Sequence, residues 1–264
     1  MSVGARPQVS AWRREGDLLV SPALERLGLA AGFTTRARGS LGGAAASPDA
    51  AARARSELAR TLGFDDVVRV KQVHGDRVVK ADAPFAVWPE ADGLWTDRVG
   101  VLLGVTAADC VPILVADRAG RIGVAHAGWE GTSRSVARRL VAAMRESGAE
   151  TRHMVAAIGP SIGPCCYTIG PDRVALIRGR LGPLADDPIR ETPEGAVFDL
   201  WSANAAQLRA EGVAEIEVAG TCTRSSGLDL WSYRARDRMG LGLGLGFIGR
   251  RARDGGSAPV APTK

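Results

Sequence analysis

The sequence predicts an α+β fold, in which mixed β-sheets pack with flanking helices in one domain. Short β-branched segments separated by turns recur from residue 67 onward, and this pattern is typical of strands. Longer segments carry the apolar periodicity and the end signals of helices. The chain of 264 residues is long enough for one large domain, and neither a repeat nor a linker divides it.

The first half of the chain is predicted to contain one clear helix among several strands. A first strand is expected over 18–24, interrupted at Pro22. The helix begins with Ser47 as its N-cap and Pro48 in its first turn, and Gly63 ends it. Further strands are predicted at 67–73, 77–80, 101–106, 111–116 and 121–125.

The second half is predicted to mix helices and strands. A helix is expected from Thr132 or Ser133 to about Ser147, because apolar residues recur on one face and Gly148 follows. Leucines alternating with glycines over 241–248 predict a buried strand whose glycines allow close backbone approach. The remaining predictions are strands at 154–158, 196–200 and 214–219 and helices at 171–180 and 201–211.

The two ends of the chain differ in composition from its centre. We expect residues 1–16 to form a flexible N-terminal segment, residues 17–252 a single catalytic domain and residues 253–264 a disordered tail. The N-terminal segment is mostly polar and charged, so it lacks the continuous apolar stretch of a signal peptide. No segment has the apolar length needed to span a bilayer. We therefore expect a cytoplasmic protein with no membrane partner.

The chain is basic, with a net charge of +5 and a pI near 9.4. Almost all of this positive charge is arginine, because lysine occurs only at positions 71, 80 and 264. The arginines are dispersed among acidic residues and form no basic stripe with interleaved aromatic residues. Nucleic acid is therefore not an expected partner, whereas small anionic substrates fit the charge. The oligomeric state stays open, with a monomer favoured.

Two of the three histidines lie in unusual motifs on either side of a cysteine. His74, Cys110 and His126 are separated by 36 and 16 residues, which is not the paired spacing of a zinc finger. Two imidazoles and one thiolate supply three of the four ligands of a tetrahedral zinc ion. Because a three-ligand site keeps a coordination position open, this inventory indicates a catalytic zinc rather than a structural one.

The other cysteines do not suggest a disulfide framework. Cys165 and Cys166 are adjacent, and the chain has no export signal, so the cysteines are interpreted as thiols or metal ligands. We expect the adjacent pair to line the pocket rather than bind the metal. His153, the third histidine, has no companion motif and is interpreted as structural.

An ordered set of motifs spans roughly residues 30–250. By these motifs the chain resembles the YfiH or laccase-domain family, which consists of zinc-dependent purine nucleoside phosphorylases. In order, they are Gln72-Val73-His74-Gly75, Ala91-Asp92-Gly93, Ala108-Asp109-Cys110-Val111-Pro112, His126-Ala127-Gly128-Trp129, Ile158-Gly159-Pro160-Ser161-Ile162-Gly163 with Cys166-Tyr167, and Ser232-Tyr233-Arg234.

The resemblance implies a function, a cofactor and a fold. It implies a layered α/β sandwich with zinc bound by the two histidines and Cys110. It also implies phosphorolysis of adenosine, inosine and methylthioadenosine, with adenosine deamination as a second activity. Purine nucleosides and phosphate are the implied partners.

Three further residues are candidates for roles around the metal. Arg36 matches a family arginine near the pocket, and its guanidinium suits phosphate. Gln72 is a candidate to orient a substrate hydroxyl or base edge. Asp109, beside Cys110, is a candidate catalytic residue that shuttles a proton or, as we favour, orients the site from outside the ligand shell.

The chain departs from the family pattern close to these residues. Glu130 follows the Gly-Trp pair where the family usually has arginine, and Ala107 replaces a usual threonine. We expect these changes to affect phosphate affinity and base preference rather than metal binding. Glu130 is also a second candidate for the proton-shuttling carboxylate.

Three other functions remain open. A copper polyphenol oxidase, laccase-like, requires several copper centres built largely from imidazoles, and three histidines are too few. A non-catalytic basic protein would bind nucleic acid with a steep salt dependence. A cysteine hydrolase would use Cys110 with a histidine and would lose activity on alkylation while keeping its metal content.

Overall fold

The computed structural model describes residues 8–9, 12–193, 195–235 and 241–252. Short strands dominate the first third of the chain, and longer strands alternate with helices afterwards. The strands are β1 Gln8–Val9, β2 Arg13–Glu15, β3 Leu18–Val20, β4 Ala30–Thr34, β5 Val67–Val68, β6 Val78–Lys80, β7 Gly93–Thr96, β8 Leu102–Ala107, β9 Val111–Asp117, β10 Ile122–Ala127, β11 Met154–Ile158, β12 Thr168–Ile169, β13 Ile189–Thr192, β14 Gly195–Phe198, β15 Glu215–Val218 and β16 Gly244–Gly249.

The helices cover the outer faces of the sheets. They are α1 Pro22–Glu25, α2 Pro48–Thr61, α3 Trp129–Ser133, α4 Val136–Glu146, α5 Pro171–Leu181 and α6 Leu200–Ala210, with short 3₁₀ segments at Arg36–Arg38, Thr151–His153 and Gly182–Ala185. Within the described ranges, no helix is both long and apolar enough to cross a membrane.

Two large mixed sheets form the centre of the molecule. In the described residues, sheet A has the order β1-β15-β11-β9-β10-β7-β6 and sheet B has the order β2-β3-β4-β16-β8-β5. A small sheet C has the order β12-β14-β13. Both large sheets contain parallel and antiparallel pairs, so the predicted mixed-sheet architecture is confirmed.

Strand β9 shows how the layers are arranged. Ile113 and Val115 on one face pack in the cluster that includes α4 and α6, whereas Leu114 on the other face packs in the cluster shared with sheet B. Because both faces are buried, this strand is a continuous apolar run rather than an alternating one. The outer face of sheet B packs on α2, where Phe247 and Leu58 share a cluster. The result is a four-layer sandwich of helix, sheet, sheet and helix.

Only three residues connect the two large sheets at the point where β8 ends and β9 begins. These residues are Ala108, Asp109 and Cys110. Asp109 has a φ of 83°, a left-handed conformation that few residues adopt without compensation. The tight crossover therefore fixes the position of Cys110 between the sheets.

Several predicted elements differ from the structure, and one of them concerns a site residue. The strand predicted over 67–73 ends at Val68, and His74 lies in a loop with a φ of 61°. The reason is that the N–H groups of Val73, His74 and Gly75 donate to the side chain of Asp92 instead of to a neighbouring strand. The prediction of a strand that continues to residue 73, directly before His74, is therefore wrong.

Two other boundaries were wrong for local reasons. The strand predicted over 18–24 stops at Val20, because Ser21 caps α1 and Pro22 starts that helix. The helix predicted from 132 or 133 to 147 is divided into α3 and α4 at Ser135, whose φ is 66°. The Ser47 cap, by contrast, is confirmed, since its side chain accepts a hydrogen bond from the N–H of Ala50.

The ends of the chain lie partly outside the described residues. The predicted boundary at residue 17 falls after β2, which pairs with β3, and Trp12 is buried. The predicted tail over 253–264 lies outside the described residues. That residues 17–252 act as one catalytic domain stays a proposal.

Candidate metal centre and active site

His74, Cys110 and His126 converge at the junction of the two large sheets. One ligand atom from each residue lies within 4.8 Å of the other two. The two imidazole rings meet edge to face, with their centroids 4.8 Å apart. His126 is buried in β10, Cys110 is half-buried in the crossover and His74 is exposed. The three donors therefore form a cluster with one side open to solvent.

Asp92, just before β7, organises both histidines. Its side chain is fully buried. One of its oxygens accepts from the Nδ1 of His126 at 2.9 Å and from the N–H of His74 at 3.0 Å. The other accepts from the N–H groups of Val73 and Gly75 at 3.1 and 2.7 Å. A single carboxylate thus holds the His74 loop against the His126 side chain.

This contact also determines which nitrogen of His126 faces the cluster. An ionised carboxylate only accepts hydrogen bonds, so the Nδ1 of His126 carries the proton. The pKa of Asp92 is lowered: burial alone would raise it, but the hydrogen bond and charge of His126 outweigh burial. The Nε2 of His126 is left as the donor atom for a metal, which is the carboxylate–histidine–metal arrangement common in metalloproteins.

The two histidines favour the thiolate form of Cys110. Burial alone would raise its pKa, but the neighbouring His126 and His74 lower it to about 6. The pKa of His126 is raised to about 9 against the effect of burial, chiefly by the Cys110 charge and the Asp92 hydrogen bond. A thiolate and two imidazoles are a donor set that zinc prefers. The residues present therefore fit a metal ion of this type.

Gly128, which follows β10, makes this close approach possible. A Cβ atom at this position would lie 2.9 Å from the Sγ of Cys110 and 3.3 Å from the ring of His74. No larger residue fits without displacing two of the three donors. The glycine in the His126-Ala127-Gly128 motif is explained by this contact rather than by backbone strain, since its φ is −70°.

Asp109 makes hydrogen bonds to neighbouring loops of the protein. Its carboxylate accepts from the hydroxyl of Thr223 at 2.6 Å and from the N–H of Arg234 at 2.7 Å. Its carbonyl accepts from the N–H of Ile162 at 2.9 Å. These contacts connect the crossover to the loops after β11 and β15, which suits an orienting role.

Gln72 connects the His74 loop to β8. Its amide oxygen accepts from the N–H and hydroxyl of Thr106 at 2.8 and 2.9 Å, and its amide nitrogen donates to the Thr106 carbonyl at 2.8 Å. Thr106 precedes the crossover that carries Cys110. Gln72 therefore fixes the distance between two of the metal-ligand candidates.

Arg36 follows β4 and lies at the same end of sheet B as the crossover. β4 and β8 both pair antiparallel with β16, so they run in the same direction and their carboxyl ends lie at that end of the sheet. The Arg36 guanidinium stacks on Trp231 at 4.8 Å and is 3.3 Å from a carboxylate oxygen of Asp229. The structure thus places a cation at the end of sheet B from which the crossover to Cys110 begins.

Two aromatic residues, Tyr167 and Trp129, each pack against an arginine. The guanidinium of Arg234 is 4.9 Å from the Tyr167 ring, and that of Arg173 is 4.9 Å from the Trp129 ring. Burial and the nearby Cys110 raise the pKa of Tyr167 to about 12, so this phenol stays protonated. Flat apolar surfaces next to cations are suited to a heterocycle that carries an anionic partner.

Sequence reasoning missed the roles of two of these residues. Asp92 and Arg234 both occur in motifs noted above, but spacing gave no reason to place them at the metal cluster. The adjacent Cys165 and Cys166 do not approach Cys110 within the metal-binding distance; they converge on Cys222 instead. His153 is exposed and pairs with Glu150 at 3.9 Å, away from the cluster.

Comparison with known families identifies the family of this chain. Residues 31–251 match the family described as multi-copper polyphenol oxidoreductase laccase. The chain belongs to this laccase-domain family. Its sequence is 43% identical over 218 residues to the purine nucleoside phosphorylase YlmD of Geobacillus stearothermophilus, covering 75% of this chain and 77% of YlmD.

Solved structures of the laccase-domain family have the same fold. The crystal structure of YlmD superposes with a TM-score of 0.80 at 36% identity and covers 91% of this chain and 99% of that one. The hypothetical protein YfiH of Bacillus licheniformis superposes with a TM-score of 0.79 at 29% identity, with the same coverage. The predicted family and layered fold are thereby confirmed.

Not all family members carry the same activity name. A protein from an unknown prokaryotic organism, named adenosine deaminase RL5, is 36% identical over 211 residues, covering 74% of this chain and 79% of that protein. Relatives of similar identity are thus named for phosphorolysis and for deamination. The names of these relatives support a nucleoside-processing activity of the purine nucleoside phosphorylase or adenosine deaminase type.

Proposed function

We propose that this chain is a zinc-dependent purine nucleoside phosphorylase that acts on adenosine, inosine and methylthioadenosine, with adenosine deamination as a second activity. The observation that carries the proposal is the cluster of His74, Cys110 and His126, whose ligand atoms lie within 4.8 Å of one another. The names of the relatives supply the substrate class.

In this proposal the three donors hold zinc, and Asp92 fixes the orientation of His126. Bound zinc supplies a Lewis acid that polarises an oxygen atom at its open position. The thiolate character of Cys110 supports metal binding, because a thiol must lose its proton to become a ligand. Gln72 and Asp109 keep the ligand-bearing loops in place, and Gln72 also orients a substrate hydroxyl or base edge.

Phosphorolysis needs an anion held against the sugar. A phosphate oxygen bonds to the anomeric carbon of the ribose as the bond from that carbon to the purine nitrogen breaks, and the nitrogen takes up a proton. Arg36 is proposed to hold the phosphate through paired N–H donors. Trp129 and Tyr167 are proposed to frame the purine, since flat apolar side chains pack well on its ring.

Deamination needs a carboxylate that moves protons between water and the leaving amine. Both carboxylate oxygens of Asp109 already accept hydrogen bonds, so we assign this residue an orienting role. Glu130 is the second residue of α3, which begins directly after Gly128, and it pairs with Arg134 at 2.9 Å. It is the proposed proton carrier for this second activity.

The test is a chromatographic assay of adenosine and inosine, with and without phosphate. Zinc-loaded wild-type protein is compared with Cys110→Ala and with a control, His153→Ala, that changes an exposed histidine. Wild type and control are expected to release free base only with phosphate, whereas Cys110→Ala is expected to release almost none. Equal release of free base by Cys110→Ala would eliminate the assigned site.

One further candidate is favoured by a specific observation. Cys110, His126 and Asp92 also have the order of a cysteine nucleophile, its base and an orienting carboxylate. A cysteine hydrolase would not need the second imidazole of His74. Iodoacetamide treatment of metal-loaded protein distinguishes a metal-binding Cys110 from a nucleophilic Cys110. Loss of activity with an unchanged metal content favours the cysteine hydrolase.

Copper oxidase chemistry is the least supported by the chain. The full sequence has three histidines, and one of them is the exposed His153. Two imidazoles and one thiolate do not supply the several centres of a multicopper oxidase. Metal analysis that finds several copper ions per chain would reverse this conclusion.

A further inference from the structure

Three thiols outside the proposed active site converge at a second point. Cys165 and Cys166 follow β11 in the loop 159–167, and Cys222 lies in the turn after β15. The three Sγ atoms lie within 4.8 Å of one another, and those of Cys165 and Cys166 are 3.6 Å apart. A thiophilic ion with bonds of about 2.3 Å holds sulfur atoms roughly 4 Å apart. The spacing therefore suits a shared metal ion.

The backbone holds the two cysteine-bearing segments together. Ser161 donates from its N–H to the Thr221 carbonyl at 3.2 Å and accepts from the N–H of Thr223 at 3.0 Å. The N–H of Gly163 donates to the Sγ of Cys222 at 3.3 Å. These contacts hold Cys222 next to the loop that carries the other two thiols.

Gly163 is required for this approach. A Cβ atom at position 163 would lie 2.7 Å from the ring of Trp201 and 3.3 Å from the Cβ of Cys222. The Trp201 ring is itself fixed, because its N–H donates to the hydroxyl of Ser161. The glycine thus allows the loop to pass between a fixed aromatic ring and a cysteine.

The surroundings of Cys222 and Cys165 affect the two thiols in opposite directions. The pKa of Cys222 is lowered to about 7 although burial alone would raise it, because the Ser225 hydroxyl and the backbone N–H groups of Gly163, Arg224 and Ser225 stabilise the thiolate. The pKa of Cys165 is raised: the Ser225 hydroxyl alone would lower it, but burial and the sulfur atoms of Cys166 and Cys222 outweigh that effect.

We propose that Cys165, Cys166 and Cys222 form a second metal site, separate from the active site, for a thiophilic d¹⁰ cation, either copper(I) or zinc(II). Three thiolates complete a trigonal site for copper(I), and zinc additionally takes an oxygen ligand. The Ser225 hydroxyl, 3.2 Å from the Sγ of Cys165, is placed to supply that oxygen. The ion enters from the solvent side, where Cys165 is exposed, and the thiol protons are released to solvent.

Cadmium(II) is a suitable probe, because its bonds to thiolates absorb in the ultraviolet. Reduced, metal-free protein is titrated with cadmium and its binding stoichiometry is measured by equilibrium dialysis. Wild type is expected to bind two ions per chain. Cys110→Ala and Cys165→Ser are each expected to bind one, and the double variant none.

Each site can fail separately in this experiment. If Cys110→Ala binds no cadmium, or if Cys165→Ser still binds two ions, the thiol site is overturned. If Cys165→Ser binds none while Cys110→Ala binds one, the thiol site stands and the proposed active-site metal fails. Cys165 is exposed, so its substitution leaves the fold intact, and Cys166→Ser repeats the test at a second ligand.

A competition experiment identifies the ion. Cys110→Ala protein is loaded with copper(I) under anaerobic conditions or with zinc(II), and is dialysed against a chelator. Retention of copper(I) but not zinc identifies copper(I) as the ion. Retention of zinc, with an affinity at least tenfold lower in Ser225→Ala, identifies zinc(II). Loss of both ions at the rate of the Cys110→Ala/Cys165→Ser double variant would contradict the proposal.

Discussion

The cluster of His74, Cys110 and His126, here the imidazole cluster, and the cluster of Cys165, Cys166 and Cys222, here the thiol cluster, are built in different ways. In the imidazole cluster a buried carboxylate, Asp92, orients the donors from outside. In the thiol cluster backbone N–H groups contact the sulfur directly. The first arrangement fixes ring orientation and suits a borderline metal with an open position, whereas the second stabilises thiolate charge and suits a softer ion.

Asp109 connects the two clusters. It precedes Cys110 in the chain, and its carboxylate accepts from the hydroxyl of Thr223, which follows Cys222. Ile162 donates to the Asp109 carbonyl from the loop that carries the adjacent cysteines. The clusters are therefore neighbours with separate donor sets, and substitutions at each should be separable.

Of the substitutions that distinguish the two clusters, removing an imidazole donor should have the largest effect on activity. His74→Ala is expected to lower kcat/KM for phosphorolysis roughly a thousandfold, equivalent to about 4 kcal/mol, because the metal loses one of three protein ligands. Steady-state kinetics and metal analysis measure this change. His153→Ala is the matched control and should retain activity. A His74→Ala protein with normal activity would show that the imidazole cluster is not catalytic.

Removing the orienting charge should weaken metal binding without eliminating it. Asp92→Asn is expected to lower zinc affinity at the imidazole cluster by about 10- to 100-fold, because His126 loses its carboxylate partner. Competition with a chelating dye measures the affinity. Asp117→Asn changes another buried carboxylate, paired with Arg121 at the far end of β9. Equal losses of affinity in both variants would indicate general destabilisation instead.

Crowding the thiol cluster should lower the stability of the protein, and it should lower cadmium binding at the thiol cluster only. Gly163→Ala is expected to cost about 1–3 kcal/mol in the free energy of unfolding, because its Cβ meets the Trp201 ring. Gly179→Ala, in α5 with open space around it, should instead stabilise the protein by about 1 kcal/mol. Urea unfolding measures both changes. Reduced zinc binding at the imidazole cluster of Gly163→Ala would contradict the separation.

The thiol reactivities should differ in their pH dependence. In metal-free protein the alkylation rate of Cys110 is expected to rise with pH around a midpoint near 6, below the ordinary value of 9.0, because only the thiolate reacts and the histidines favour it. Cys222 should have its midpoint near 7. Peptide mass spectrometry after timed alkylation measures each cysteine separately. A Cys110 midpoint near 9 would show that the histidines do not stabilise the Cys110 thiolate.

Local sequence signals predicted elements whose cause is local. The Ser47 cap, the apolar strand β9 and the strand at 154–158 follow from capping and burial patterns that a few neighbouring residues determine. The loop around His74 was not predictable in this way. Its backbone N–H groups are satisfied by Asp92, which is 18 residues away in sequence.

The sequence by itself determined the donor inventory: three histidines, of which two flank a cysteine in dense motifs, and too few imidazoles for a multicopper centre. The tertiary structure decided which donors meet. It brought Asp92 to His126, and it turned the adjacent cysteines towards Cys222 rather than Cys110. The physical reason is that residue types fix what a side chain can bind, whereas sheet order and loop conformation fix which side chains share a space.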